Sequence, residues 1–251
     1  MKTVRFDSAN YEFNKSSKIG IYMIHGFSST TYEVLKLAKY LKNKNYHVVA
    51  NNLPGHGTSI EDCNRVKYTD WLEFSKMHIA KLASQCDKIY IVGCSMGALV
   101  SLYLASMFPV NGVIIGGVVV KFHKSFLINY INPFLCKLLK KSKKEANYSN
   151  EVLQKIYFYG YEYYPLVALN EFRKMIKHME NKYENIKCPM LIFHSTNDEV
   201  SSEENFNYVN SKINTKIKET VILNQAHHNI FDTNPEIDLI YNKIEQFIKT
   251  N

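Results

Sequence analysis

The sequence predicts an α/β fold: a mostly parallel sheet flanked by helices. Three observations predict it. Short β-rich runs alternate with segments of helical period. The β-rich runs are nearly continuous in apolar residues, as in strands covered on both faces, rather than alternating as in a half-exposed sheet. The chain of 251 residues, 46% apolar, has room for one large domain with an inserted piece.

The elements follow in order. Lys18 to Ile24 (KIGIYMI) reads as a strand, and Tyr32 to Leu41 carries apolar residues at helical spacing. His47 to Ala50 is the next strand. Trp71 to Leu82 is a helix with Trp71, Leu72, Phe74, Met77, Ile79 and Leu82 as its apolar positions. Ile89 to Val92 is a strand and Met96 to Met107 a helix. Val113 to Val120, Met190 to Phe193 and Glu219 to Leu223 supply further strands. Asn234 and Pro235 read as the N-cap and first residue of a closing helix, with Ile237, Ile240, Ile244, Phe247 and Ile248 on its apolar face.

The alternation breaks between about Lys121 and Asn185. That stretch is helical in period, rich in Tyr and Lys, and shows no good strand. Tyr157 to Pro165 and Leu166 to Met179 are too apolar for a disordered loop. The expected organisation is a core of residues 1–120 and 185–251, with 121–184 as an all-helical cap.

Composition excludes several classes. The longest nearly apolar run, Gly112 to Val120, is too short to span a bilayer. The first residues have charge but no apolar stretch of the signal-peptide kind, so a cytoplasmic protein is expected. Net charge is +8, but only Arg5, Arg65 and Arg173 are arginines and the lysines are dispersed, so no nucleic-acid module is expected. The five cysteines are odd in number and form no C-x-x-C, which argues against a disulfide framework or a zinc site.

Gly93-Cys94-Ser95-Met96-Gly97 fits G-x-S-x-G, between a predicted strand and a predicted helix. In that setting small residues let the chain double back and project Ser95 Oγ above the sheet edge. The turn also aims the Met96 N–H, at a helix start, where an oxyanion would form. A serine needs a base, and the base an acid to orient it. Asp198 follows the strand in PMLIFHSTND, with Glu199 as its competitor. His227 and His228 follow the strand in VILNQAHHN. The order Ser95, Asp198, His228 is the Ser…Asp…His order of one known class of triads. The loop after the first strand, His25-Gly26-Phe27-Ser28-Ser29, offers the Phe27 N–H as a second oxyanion donor, with His25 in a bracing role. Leu53-Pro54-Gly55-His56-Gly57 reads as a turn that fixes that loop. No Gly-Lys-Ser/Thr ending and no G-x-G-x-x-G accompany it, so nucleotide binding is not expected.

HGFSS, LPGHG, GCSMG, the STND loop and HNIFDTNPE, in this order, resemble the α/β-hydrolase superfamily. They are most similar to bacterial carboxylesterases of the monoacylglycerol-lipase type. The resemblance covers nearly the whole chain, including a small helical cap after the sixth predicted strand. It implies cofactor-free, metal-free hydrolysis of carboxylic esters of short- to medium-chain acids, or of monoacylglycerols. It implies Ser95 as nucleophile, Asp198 as orienting acid, His228 as base, and Phe27 and Met96 as oxyanion donors. In that group the catalytic His is followed by an apolar residue two positions on and often by Pro seven positions on. His228 has Ile230 and Pro235 there, whereas His227 has Asn229 and Asn234. Lysophospholipase, thioesterase and cinnamoyl esterase chemistry remain open on the same triad, as does a non-catalytic binding protein of the same fold.

The first part of the cap, SFLINYINPFLCKLLKKSKK, sets Phe126, Leu127, Ile128, Ile131, Phe134, Leu135, Leu138 and Leu139 ahead of Lys137, Lys140, Lys141, Lys143 and Lys144. The favoured expectation is that these apolar side chains pack on the core and line an acyl pocket, with the lysines solvating a helix end. The alternative is transient docking on a lipid surface. Pro133 is expected to interrupt any single long amphipathic helix.

Overall fold

The computed structural model describes residues 5–144 and 159–251. Strands β1 (Tyr11–Phe13), β2 (Ile19–Ile24), β3 (His47–Ala50), β4 (Lys88–Cys94) and β5 (Gly112–Gly116) come first. Between them lie α1 (Tyr32–Asn43), α2 (Ile60–Cys63), α3 (Tyr68–Ala83) and α4 (Met96–Ala105). An insertion follows. A π-helical turn (Leu127–Ile131) runs into α5 (Asn132–Leu138), then β6 (Lys141–Lys143), β7 (Tyr163–Pro165) and α6 (Leu166–Met179). The chain returns to the sheet with β8 (Met190–Ser195), α7 (Glu203–Lys212), β9 (Lys218–Leu223) and α8 (Ile237–Thr250).

The main sheet has seven strands in the order β1-β3-β2-β4-β5-β8-β9. All neighbours are parallel except β1, which runs antiparallel to β3. The chain builds outward from β2 to β3 and then crosses back to β4 on the other side of β2. Such a reversal leaves a crevice at the carboxyl ends of β2 and β4, where open α/β sheets place their ligands. Ile24 pairs with Gly93 there, so the loops after both strands start side by side.

Period-two alternation divides the core between the two faces. Tyr22, Ile24, Ile91, Val113 and Ile115 pack in one cluster with residues of α3, α4 and α6. Ile21, Met23, Val92, Ile114, Leu191 and Phe193 pack in the other with residues of α1 and α8. Every residue of α4 is buried, so this helix lacks the polar face of a surface helix. The five cysteines are free thiols, all buried except the half-buried Cys188. Among the described residues no helix is long and apolar enough to cross a membrane.

Several expectations change. The insertion follows β5, the fifth strand along the chain, not a sixth. It is not all helical: β6 and β7 pair antiparallel, Lys141 with Pro165 and Lys143 with Tyr163. The strand expected to reach Val120 ends at Gly116, because Gly117 turns the chain at φ 56°. Asn234 and Pro235 precede α8 rather than open it. Asn234 Oδ1 accepts the Glu236 N–H in a local turn, which leaves Glu236 as the residue before the helix. Pro133 is the second residue of α5, directly after the π-helical turn, and the helical path from Leu127 passes through it without the expected break. Phe126, Leu127, Ile131, Phe134, Leu135, Leu138 and Leu139, expected to pack on the core, are exposed, because Asn132 and Cys136 occupy the inward side of the helix. Lys144, expected at a solvated end, is buried. Tyr157 and Phe158 lie outside the described residues.

Candidate active site

Ser95 occupies the turn between β4 and α4 with φ 55° and ψ −118°. A side-chain-bearing residue held there stores about 1–3 kcal/mol of strain. The surrounding structure fixes it: the Ser95 N–H donates to Gly116 O at 3.0 Å, and Ser95 O accepts from the Ala98 N–H at 3.1 Å. The flanking glycines are required by close approach. A Cβ on Gly93 would stand 2.3 Å from Gly97 O, and one on Gly97 would stand 2.2 Å from Ile24 O.

Asp198 follows β8 and His228 follows β9. His228 Nδ1 lies 2.9 Å from both carboxylate oxygens of Asp198. Asp198 Oδ1 also accepts the N–H groups of Val200 at 2.9 Å and Ser201 at 2.8 Å. Burial alone would raise the Asp198 carboxyl, but His228 and these two donors outweigh it and hold the carboxyl below its usual range. For His228 burial works against protonation, yet Asp198 overcomes it and raises the imidazole above its usual 6.5. With Nδ1 facing the carboxylate, Nε2 is the basic nitrogen. The pair sits under the end of β5: a Cβ on Gly117 would come within 3.2 Å of Asp198 Oδ2 and of His228 Nδ1. Cys94, just before Ser95, sets its Sγ 3.9 Å from His228 O. The Asp198–His228 pair thus lies against the end of β5, whose Gly116 carbonyl holds the Ser95 N–H, and against Cys94 beside Ser95, at the carboxyl edge of the sheet. The competitors stand apart, with His227 Nδ1 3.8 Å from Glu199 Oε2 and both side chains partly in solvent.

The loop after β2 abuts the Ser95 turn, so closely that a Cβ on Gly26 would lie 3.0 Å from Ser95 Cβ. Two buried histidines clasp this loop to the Leu53–Gly57 turn. His25 Nε2 accepts the Leu53 N–H at 3.0 Å, leaving Nδ1 to donate to Gly26 O at 2.8 Å. His56 Nε2 accepts the Ser28 N–H at 3.2 Å. Burial drives both imidazoles toward the neutral form, His25 down to about 4, which suits this accepting role. The bracing roles read from the sequence for His25 and for the LPGHG turn are the ones seen. Met96 is the first residue of α4, so its N–H has no carbonyl one turn back to bind. The Phe27 ring packs against Phe172 and Trp71, at centroid distances of 5.6 and 6.4 Å.

Three side chains of the site were not singled out in the sequence. Glu33 of α1 is buried, and its Oε2 accepts the Gly26 N–H at 2.6 Å. The available signal was a carboxylate on the helix arc that also carries Leu37 and Leu41. Glu236 Oε2 accepts the N–H groups of Gln225 at 2.8 Å and Ala226 at 3.0 Å, fixing the segment that leads to His228. Tyr161 reaches from the insertion to the Leu53–Gly57 turn, its hydroxyl donating to Gly55 O at 2.8 Å, while its N–H donates to Ser28 O at 3.0 Å.

A strained serine on a strand-to-helix turn, with an Asp–His pair on later strands of a parallel sheet, defines an α/β-hydrolase. The model of the serine aminopeptidase S33 family matches residues 15–160 and 161–235, and the chain belongs to that family. The chain is 26% identical over 233 residues to a thermostable monoacylglycerol lipase of Bacillus sp. (strain H-257), covering 86% of this chain and 85% of that one. It is 22% identical over 237 residues to a carboxylesterase of Bacillus subtilis (strain 168), covering 94% of each. Among solved structures, one from work on LipS and LipT, two metagenome-derived lipolytic enzymes, has a TM-score of 0.88 at 22% identity. It covers 99% of this chain and 100% of its own.

Proposed function

We propose that this protein hydrolyses carboxylic esters through an acyl-enzyme formed on Ser95. The observation that carries the reading is the His228 imidazole held 2.9 Å from both Asp198 oxygens beside the strained Ser95 turn. In this reading Ser95 Oγ attacks the ester carbonyl while His228 Nε2 takes its proton. The N–H groups of Phe27 and Met96 receive the oxyanion. The tetrahedral adduct collapses as imidazolium returns the proton to the leaving alkoxide, releasing the alcohol. Water then attacks the acyl-enzyme with His228 as base, and the acid leaves.

Monoacylglycerol lipase and carboxylesterase among the relatives support esters of short- to medium-chain acids or monoacylglycerols as substrates. The ring cluster of Phe27, Phe172 and Phe122 supports an apolar acyl site. In the same reading residues 121–184 are a cap over that site, and the protein acts in the cytoplasm without a metal or cofactor. A panel of chromogenic esters of graded acyl length, thioesters and aminoacyl anilides tests it, with Ser95→Ala as control. Ester turnover that falls by several orders of magnitude in the variant is expected. Preferential anilide turnover would replace the ester reading with peptidase chemistry. Ester hydrolysis persisting above about a tenth of the wild-type rate would remove Ser95 from the mechanism.

A further inference from the structure

We propose that the outer face of the π-helical turn and α5 docks on anionic lipid membranes. This deepens the ester-hydrolase reading and rests on it for the role of the docked state, presentation of lipid esters to Ser95. Phe126, Tyr130, Phe134 and Leu138 form a row at a spacing of four and are 65–88% exposed. The adjoining row, one residue further along, is 37–46% exposed. These rows are not a misplaced core face, because the helix has its own inward side. Cys136 is buried there, and Asn132 Nδ2 donates to Leu166 O of α6 at 3.0 Å. α6 in turn carries Phe172 against Phe27, so the exposed face backs onto the wall of the candidate site.

Two contiguous apolar rows on a water-soluble surface are a contact site by default. Charge selects the partner. No Asp or Glu occurs between Lys121 and Lys144, whereas Lys137, Lys141 and Lys143 ring the end of the face and are exposed. Lys137 lies over the Phe134 ring at 5.8 Å and Lys141 over Tyr163 at 5.3 Å, so their apolar stems lie along aromatic rings. Apolar rows rimmed by such lysines match a bilayer with anionic headgroups. A second copy of the chain would bring the same lysines against each other.

The test is sedimentation of the 251-residue chain with phosphatidylcholine vesicles, with and without phosphatidylglycerol. Wild type is expected to pellet with the anionic vesicles at low salt, to stay in solution with phosphatidylcholine alone, and to be released by salt. Lys137, Lys141 and Lys143 changed together to Glu should weaken binding at least about tenfold. Phe134→Gln with Leu138→Gln should do the same, and both variants should hydrolyse a water-soluble ester at the wild-type rate. Wild type remaining in the supernatant, or binding both vesicle types regardless of the lysine changes, overturns the proposal. So does a dimer in solution that Phe134→Gln with Leu138→Gln dissociates, if vesicles do not bind. Vesicle binding by a wild type that hydrolyses no ester leaves the docking surface standing and removes the ester reading alone.

Discussion

The buried carboxylate of Glu33 takes the Gly26 N–H at 2.6 Å, one residue before the proposed oxyanion donor Phe27. Burial holds the Glu33 carboxyl above its usual range, and the Gly26 N–H and His228 offset that only in part. Glu33→Ala leaves a buried N–H unpaired and frees the turn. Losing such a contact costs about 1–3 kcal/mol, so kcat should fall about five- to hundredfold with KM little changed. Glu33→Gln keeps a carbonyl acceptor at the same place and should restore most of kcat. Wild-type kcat in Glu33→Ala would show that the turn holds its shape unaided.

The Asp198–His228 contact sets a pH limb. Protonated His228 cannot serve as a base, and Asp198 raises that protonation above the usual 6.5. The rate should therefore fall with decreasing pH around a midpoint above 6.5, and little activity should remain near about pH 4. Asp198→Asn removes the charge that raises His228. Its midpoint should shift down, and kcat should drop by about three to four orders of magnitude as the imidazole loses its fixed tautomer. A rate still at plateau in acid would exclude a His base.

His227 and His228 leave β9 one residue apart and meet different partners. His228 faces buried Asp198, and His227 stands 3.8 Å from Glu199 at the surface. His228→Ala should be inactive within assay limits, and His227→Ala should stay within about twofold of wild type. The reverse pattern, measured on one soluble ester, would move the base to His227.

The strands β2, β4 and β8 were legible because strands buried on both faces write themselves as unbroken apolar runs. Gly93, Ser95 and Gly97 were legible because a sharp strand-to-helix turn restricts residue size at fixed offsets. The β6–β7 pairing was not, since three-residue strands carry no period and their partners lie far along the chain. Periodicity found the apolar rows from Phe126 to Leu139 but misassigned their environment. An apolar helical face reads the same whether it meets a core or an interface, and only the burial of Asn132 and Cys136 on the opposite side decides it. Glu33 was passed over because its partner is a backbone N–H, so its place on the apolar arc of α1 was the one mark it left in the sequence.

Gly117 links the sheet to the Asp198–His228 pair, and Gly117→Ala tests that link. Its φ of 56° disfavours any side chain, and a Cβ would press on His228 O at 3.1 Å and on Asp198 Oδ2 at 3.2 Å. The backbone conformation alone should cost about 1 kcal/mol or more. For a domain of this size that lowers Tm by about 2–4 °C. The side-chain contacts add a functional cost that a surface glycine in the same conformation would not show. Displacing Asp198 from His228 weakens the interaction that raises the imidazole, so the acid limb should move down along with kcat. Thermal melts and a pH–rate profile on the same preparation separate the two effects. A lowered Tm with an unmoved acid limb and wild-type kcat would make Gly117 a matter of backbone conformation alone.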